Sequence, residues 1–391
     1  MSRESELISL CQDLVRIQSL SGQEQNVARF IEKTMKQLGF DEVSIDAFGS
    51  VLGVLHGKRS GKSILFDGHI DTVDVSDETK WSHPPFGAEI VDGKIYGRGT
   101  SDMKGSDAAM ILASAWFAHD TGRDFAGDIY VSCTVHEECF EGVSSREITK
   151  RVVPDFVIIG EATTTTLKIG QRGRAEIAVE TEGKSCHSSN PEKGVNAVYH
   201  MLEVIEAIRK LPQNEHPLLG KGILELTDII SFPYPGASVV PERCKVTFDR
   251  RTLVGETPES VLAPIRHAID DVKKRIPGLK ARAYISQGSE KCWTGETIAA
   301  QRFFPAWVID EDAPLVTKAL EGLRSVGIDA PLSHFAFCTN GSHFCGERGI
   351  PTIGFGPSRE DLAHVVDEYI EIDQLVKAQK GFYGILGKLM K

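Results

Sequence analysis

The sequence predicts an α/β protein: a mixed sheet covered by helices on both faces, with a ferredoxin-like βαββαβ domain inserted into it. Three observations predict it. Short apolar strands alternate with helical segments in the N-terminal third, the pattern of a sheet buried on both sides. The middle of the chain reads strand, helix, strand, strand, helix, strand, which is complete in itself. The C-terminal stretch then returns to α/β alternation.

Taken in order, "ESELISLCQDLVRI" and "EQNVARFIEKTMKQLG" carry helical periodicity, and Gly39 is a natural stop for the second. The strands "SVLGVL", "SILFDG", "DIYVSCTV" and "DFVIIG" follow, with the helix "DAAMILASAWFAH" between the second and third. From Arg172 the spacing predicts a strand over 174–182, a helix over 194–210 and strands over 222–231 and 244–251. A helix over 258–275 and a strand over 280–286 complete the insert. "EDAPLVTKALEGLRSVG" is then a helix, "PTIGFG" a strand, and a long helix ends the chain. The expected division is 1–171 plus 288–391 for the main domain and 172–287 for the insert, whose termini lie close together in such sandwiches.

Bulk properties exclude several classes. The chain has 391 residues and 44 basic against 55 acidic side chains, a net charge of −11, with no basic cluster. That argues against nucleic acid as a partner. Apolar runs are strand-sized, so no membrane association is expected. The start "MSRESELISLCQDLV" carries acids and no apolar leader core, and eight cysteines in so long a chain read as reduced thiols. Both point to a cytoplasmic protein. Cys133 and Cys139 read as packing residues and His136 as structural.

Four apolar strands or glycine turns end in metal-ligand side chains. "FDGHIDTVD" holds His69 and Asp71, two apart and so on one side of an extended segment, where Asp71 can accept the second ring N–H of the histidine. "YGRGTSDMKG" wraps Asp102 in glycines before a helix, "TVHEECFEG" holds Glu137 and Glu138, and "VIIGEATTT" ends on Glu161. Ligands of open α/β sheets gather at such carboxyl ends. His364 in "GFGPSREDLAHVVDE" is a fifth candidate. Each feature alone reads more readily as a structural histidine, a turn aspartate or a solvated acid; five together do not. Two histidines and three carboxylates suit a pair of Zn²⁺ ions bridged by one carboxylate at about 3.5–4 Å. Such a pair also explains adjacent acids, one binding metal while its neighbour moves protons.

Other motifs fail. "HGKRSGKS" places its first glycine one residue too close for a phosphate loop and leads into a strand. "GRGTS" lacks the spacing of a dinucleotide fingerprint, and Cys186–His187 are sequence neighbours, which rarely form a thiol–imidazole dyad.

"GHIDTV", "GRGTSDMKG", "HEE", "GEAT" and the late "AH..DE" together resemble, in order and position, the co-catalytic metallopeptidase family of acetylornithine deacetylase, succinyl-diaminopimelate desuccinylase and carboxypeptidase G. "GKSCHSSNPEKGVNAV" in the insert is similar to that family's signature. "GQRGRAEI", "LGKG", "CWTG" and "CTNG" look most like the YgeY-type hydrolases linked by name to selenium metabolism.

The resemblance spans nearly the whole chain and implies a phosphorylase/hydrolase-like catalytic domain, an insert serving as lid and dimerisation domain, and two Zn²⁺ with Co²⁺ or Mn²⁺ as possible substitutes. It implies that His69 and Glu161 complete one metal site, Glu138 and His364 the other, that Asp102 bridges them, and that Asp71 stands behind His69. Glu137 would be the general base. His187 would reach the site of the partner subunit in a homodimer and steady the oxyanion, and Arg251 would grip a substrate carboxylate. Asn340 and Gly341 would line the substrate pocket.

Two departures bear on specificity. Ser238 in "ASVVP" stands where several relatives carry asparagine, which weakens a transfer of desuccinylase specificity, and Glu161 fits deacylases better than aminopeptidases. The activity implied is hydrolysis of the amide bond of a small N-acyl amino acid or short peptide, acting as deacylase or carboxypeptidase. The alternatives are hydrolysis of a carbamoyl or ureido C–N bond, which the same groups would serve, and a non-catalytic binding member of the fold.

Overall fold

A computed structural model describes residues 2–391. The chain divides into two compact units, 1–171 with 289–300 and 307–391, and 172–288 with 301–306.

The first unit is built on a nine-stranded mixed sheet. Its spatial order is Glu42–Ile45, Val51–His56, Asp128–Thr134, Ile64–His69, Phe156–Ile159, Thr352–Gly354, Leu167–Gln171 and Trp307–Val308, with Leu332–Phe335 also paired to Leu167–Gln171. Ile64–His69 is central and parallel to both Asp128–Thr134 and Phe156–Ile159, so three carboxyl ends emerge side by side. Antiparallel strands finish the sheet on either side of that core.

Every residue of Ile64–His69 is buried, because both faces are covered. Phe66 meets Phe382 of the final helix edge to face, with ring centroids 5.3 Å apart. Its neighbour Leu65 points the other way, into a cluster with Ile148 of the helix Ser145–Arg151, Val157 and Phe344. Between sheet and outer helices lies Gly105–Asp120, apolar on all sides and almost wholly buried, as a helix with neighbours all round must be. Gly68 leaves space for the side chains of this helix and the turn before it: a Cβ would fall 2.3 Å from Asp107 Oδ1 and 2.7 Å from the Met103 methyl.

The second unit has the expected order of two helices and four main strands. Ile223–Phe232, Arg243–Thr252, Gly173–Glu182 and Lys280–Ile285 form an antiparallel sheet in that spatial order. Helices Ala197–Ile208 and Pro258–Arg275 bury Met201, Val204, Ile265 and Ile269 against Val179, Val246 and Phe248 of the strands. Thr257 and Ser260 close a capping box at the start of the second helix. The short strand Phe303–Phe304 returns to this unit and pairs with Arg174 and Ala175. Among the described residues no helix is long and apolar enough to cross a membrane, and no disulfide links the eight cysteines.

Candidate metal centre

The three parallel strand ends deliver His69, the Glu137–Glu138 pair and Glu161 to one place. Asp102 comes from the turn Thr100–Lys104 that opens the buried helix, where the Asp102–Met103 peptide bond is cis. His364 comes from the loop after Thr352–Gly354, in a left-handed conformation with φ 63°.

The geometry centres on Asp102. Its Oδ1 lies 2.8 Å from His69 Nε2 and its Oδ2 lies 3.2 Å from His364 Nε2, so the two oxygens serve opposite histidines. Glu161 Oε1 stands 3.5 Å from His69 Nε2, and Glu138 Oε2 3.0 Å from His364 Nε2. Glu137 Oε2 is 4.0 Å from His69 Nε2, while its Oε1 is buried without a hydrogen-bond partner. His364 is half exposed and the other five are largely buried, which makes its side the open side of the site.

Asp71 reaches the centre differently from the spacing argument. The backbone carbonyl of Asp71, not its carboxylate, takes His69 Nδ1 at 2.9 Å; the carboxylate is 3.6 Å away. It accepts instead from Ser21 Oγ at 2.7 Å and from the backbone N–H groups of Glu137 and Glu138 at 3.0 and 3.2 Å. Burial alone would raise the Asp71 pKa, but His69, Ser21 and the Glu137 amide together hold it below the usual range.

Electrostatics test whether a cation belongs here. With its Nδ1–H given to the Asp71 carbonyl, His69 turns Nε2 toward Asp102 and Glu161. Three lone-pair atoms cannot face one another at such distances without a proton or a cation between them. Burial pushes Glu137 and Glu161 well above the ordinary carboxylate range, and Glu138 to about 7. Hydrogen bonds to Asp102 and Glu138 lift His364 to about 10. At this centre donor atoms form two groups within 4.8 Å, His69–Asp102–Glu138 and His69–Glu137–Glu161. A set of two imidazoles and buried carboxylates that must otherwise hold protons fits divalent metal.

Further residues support the centre or stand at the other expected positions. Glu368 is fully buried, pairs with Arg98 Nη1 at 2.5 Å, and accepts the backbone N–H of Ser101 at 2.8 Å and of Asp102 at 3.2 Å. It fixes the Asp102 turn from the far end of the chain. Asn340 is buried with both ends of its amide engaged: Nδ2 donates to Asp67 Oδ2 and Thr134 Oγ1, each at 2.9 Å, and Oδ1 accepts the Gly142 N–H at 2.7 Å. Gly341 has no room for a side chain, since a Cβ would fall 2.6 Å from Trp307 Nε1. In the second unit, His187 bridges to Val239 and its Nδ1 accepts from the Ser189 N–H at 3.1 Å. Arg251 Nε pairs with Asp249 Oδ1 at 2.9 Å.

Residues 65–388 match the sequence profile of "Peptidase family M20/M25/M40". The chain is 36% identical over 373 residues to the uncharacterized protein YgeY of Escherichia coli K12, covering 93% of this chain and 90% of that one. It is 26% identical over 390 residues to succinyl-diaminopimelate desuccinylase 2 of Ruegeria sp. TM1040, covering 96% and 93%. The fold matches that of Bacillus subtilis YxeP, described as a dinuclear metal binding peptidase from the M20 family, with a TM-score of 0.72 at 13% identity over 100% and 99% of the two chains.

Proposed function

The chain belongs to peptidase family M20/M25/M40, and from that premise we propose that this metallo-hydrolase cleaves the amide bond of a small N-acyl amino acid or short peptide. The observation that carries the reading is the division of Asp102 between two histidines, with Glu137 Oε1 unpartnered beside them.

Asp102 would bridge two divalent cations, with His69 and Glu161 completing one site and His364 and Glu138 the other. Zn²⁺ suits these donors, with Co²⁺ or Mn²⁺ as substitutes. Bound there, such a pair lowers the pKa of water toward neutrality and polarises a carbonyl. Glu137 takes the proton from the attacking water and returns it to the leaving amine nitrogen. Burial raises its pKa, which makes its carboxylate a stronger base toward that water than a solvated one. Asp71 orients both glutamates through their backbone amides and holds the His69 ring by its carbonyl. Arg251 is proposed to pair with the free carboxylate of the substrate, and His187 to stabilise the oxyanion of a partner subunit.

A homodimer through the second unit is supported by its edge strand. Ile223–Phe232 ends the sheet order and exposes Ile223, Ile229 and Ile230, the middle one at 51%. An edge strand with exposed apolar side chains is a surface for pairing with another chain, here beside the irregularity at Leu226–Asp228.

A screen of N-acetyl, N-succinyl and N-carbamoyl amino acids and dipeptides, each with Zn²⁺, Co²⁺ and Mn²⁺, tests the reading. Turnover of an N-acyl amino acid or dipeptide, with KM raised in Arg251→Ala, is the expected result. Turnover confined to N-carbamoyl substrates, or none with any metal, overturns it.

A further inference from the structure

His136 is the side chain of the "HEEC" segment that the centre above leaves over, and it is in an anomalous state. It is 1% exposed, yet neither ring nitrogen has a hydrogen-bond partner. An imidazole always has one nitrogen to donate or accept with on each side, and leaving either unmade in a buried site is costly. Native structures rarely leave both unmade without an ordered water, a ligand or an ion to take them.

The surroundings of the ring say which. Glu290 Oε2 stands 3.8 Å from His136 Nδ1, beyond hydrogen-bond reach. That separation is close to the roughly 3.3–3.6 Å between donors on a tetrahedral zinc. Cys139 is the third member: one donor atom each of His136, Cys139 and Glu290 lies within 4.8 Å of the other two. The backbone builds this group deliberately. His136 adopts φ 56°, its N–H donates to Glu24 Oε1 at 3.3 Å, and its carbonyl accepts from the Phe140 N–H at 2.9 Å. That turn folds Cys139 back beside His136 while Glu137 and Glu138 are held by Asp71. Gly22 lies against the same ring, and glycine there lets the chain pass Lys291, whose carbonyl oxygen would stand 2.9 Å from a Cβ.

We propose that His136, Cys139 and Glu290 form a further cation site, for Zn²⁺ or a metal of similar softness, outside the Asp102 centre. Thiolate, imidazole and carboxylate together select Zn²⁺ or Co²⁺ over Mg²⁺, Ca²⁺ and Mn²⁺. Three protein ligands leave one tetrahedral position to solvent, and Cys139 and Glu290 are partly exposed, which gives that position access. The cation would tie Glu290 to both ends of the segment that presents Glu137 and Glu138. Its work is to brace that segment.

Cobalt titration of the metal-free protein tests this without measuring activity. The Asp102 centre offers only nitrogen and oxygen donors, so a thiolate-to-cobalt charge-transfer band in the near ultraviolet can come only from a cysteine site. The expected result is three equivalents of Co²⁺ per chain, the band growing with one of them. Cys139→Ser should lose the band and one equivalent and keep two. Glu290→Gln, at a partly exposed position, should weaken that equivalent about tenfold or more and leave the others. A wild-type protein that saturates without the band, or a band that survives Cys139→Ser, overturns the proposal. So does unchanged cobalt affinity in Glu290→Gln. One equivalent with the band and no others would support this site while overturning the two-metal reading.

Discussion

Asp71 Oδ1 accepts the backbone N–H of Glu137 at 3.0 Å, so the carboxylate that stands 3.6 Å from His69 Nδ1 also holds the glutamate pair. The same carboxylate takes the Glu138 N–H at 3.2 Å. One buried anion thus sets the direction of two adjacent side chains with different proposed duties.

Those duties separate in mutants. Glu137→Gln keeps shape and the hydrogen bond to Asp71 and removes the proton acceptor; kcat should fall by about 10²–10⁴ with two metals retained at the Asp102 centre. Glu138→Ala should lose one of them. Metal analysis beside kcat checks both, and metal loss in Glu137→Gln with retention in Glu138→Ala would reverse the assignment.

Glu368→Ala leaves the buried Arg98 guanidinium without its counter-charge and frees the Ser101 and Asp102 amides. Breaking such a pair from one side costs roughly 3–5 kcal/mol. Loosening the support of a ligand weakens metal binding about 10–100-fold. Denaturant unfolding and metal titration measure the two effects; a change under about 0.5 kcal/mol would refute the brace.

Acid stability is legible at Glu347. Burial works against its charge, but His343 Nδ1 at 2.6 Å and Arg146 Nη2 at 2.5 Å outweigh it and hold the carboxyl down at about 2. A depressed carboxylate contributes stability fully present above its unfolded value of about 4.3 and lost as pH falls toward 2. Glu347→Gln should therefore lower Tm at pH 6 and lose that difference between about pH 4.5 and 2. A difference independent of pH would show that the charge is not what acts.

The dimer proposal rests on the strand edge Ile223–Phe232. Ile229→Lys with Ile230→Lys puts charges where apolar side chains are exposed. Light scattering should show a dimer in the wild type and a monomer in the double variant. A wild-type monomer at micromolar concentration would end the proposal.

The sequence by itself determined the elements and the kinds of donor at their ends. Ile64–His69 is a six-residue run closing on histidine, and a run buried on both faces needs no partner to be recognised as a central strand. The βαββαβ order was equally legible, because alternation and helical period are local properties. Tertiary structure alone decided how those donors are used. That the Asp71 backbone, not its carboxylate, holds His69 depends on the path of the chain after the strand. That Glu368, the last residue of the late "AH..DE" motif, steadies a turn 267 residues earlier is decided by packing alone. His136, read from the sequence as structural, became a candidate ligand only once Glu290 was found beside a ring with no hydrogen bonds. Spacing sets which way a side chain points from its own strand; what it meets there is set by the packing of segments that are distant in the chain.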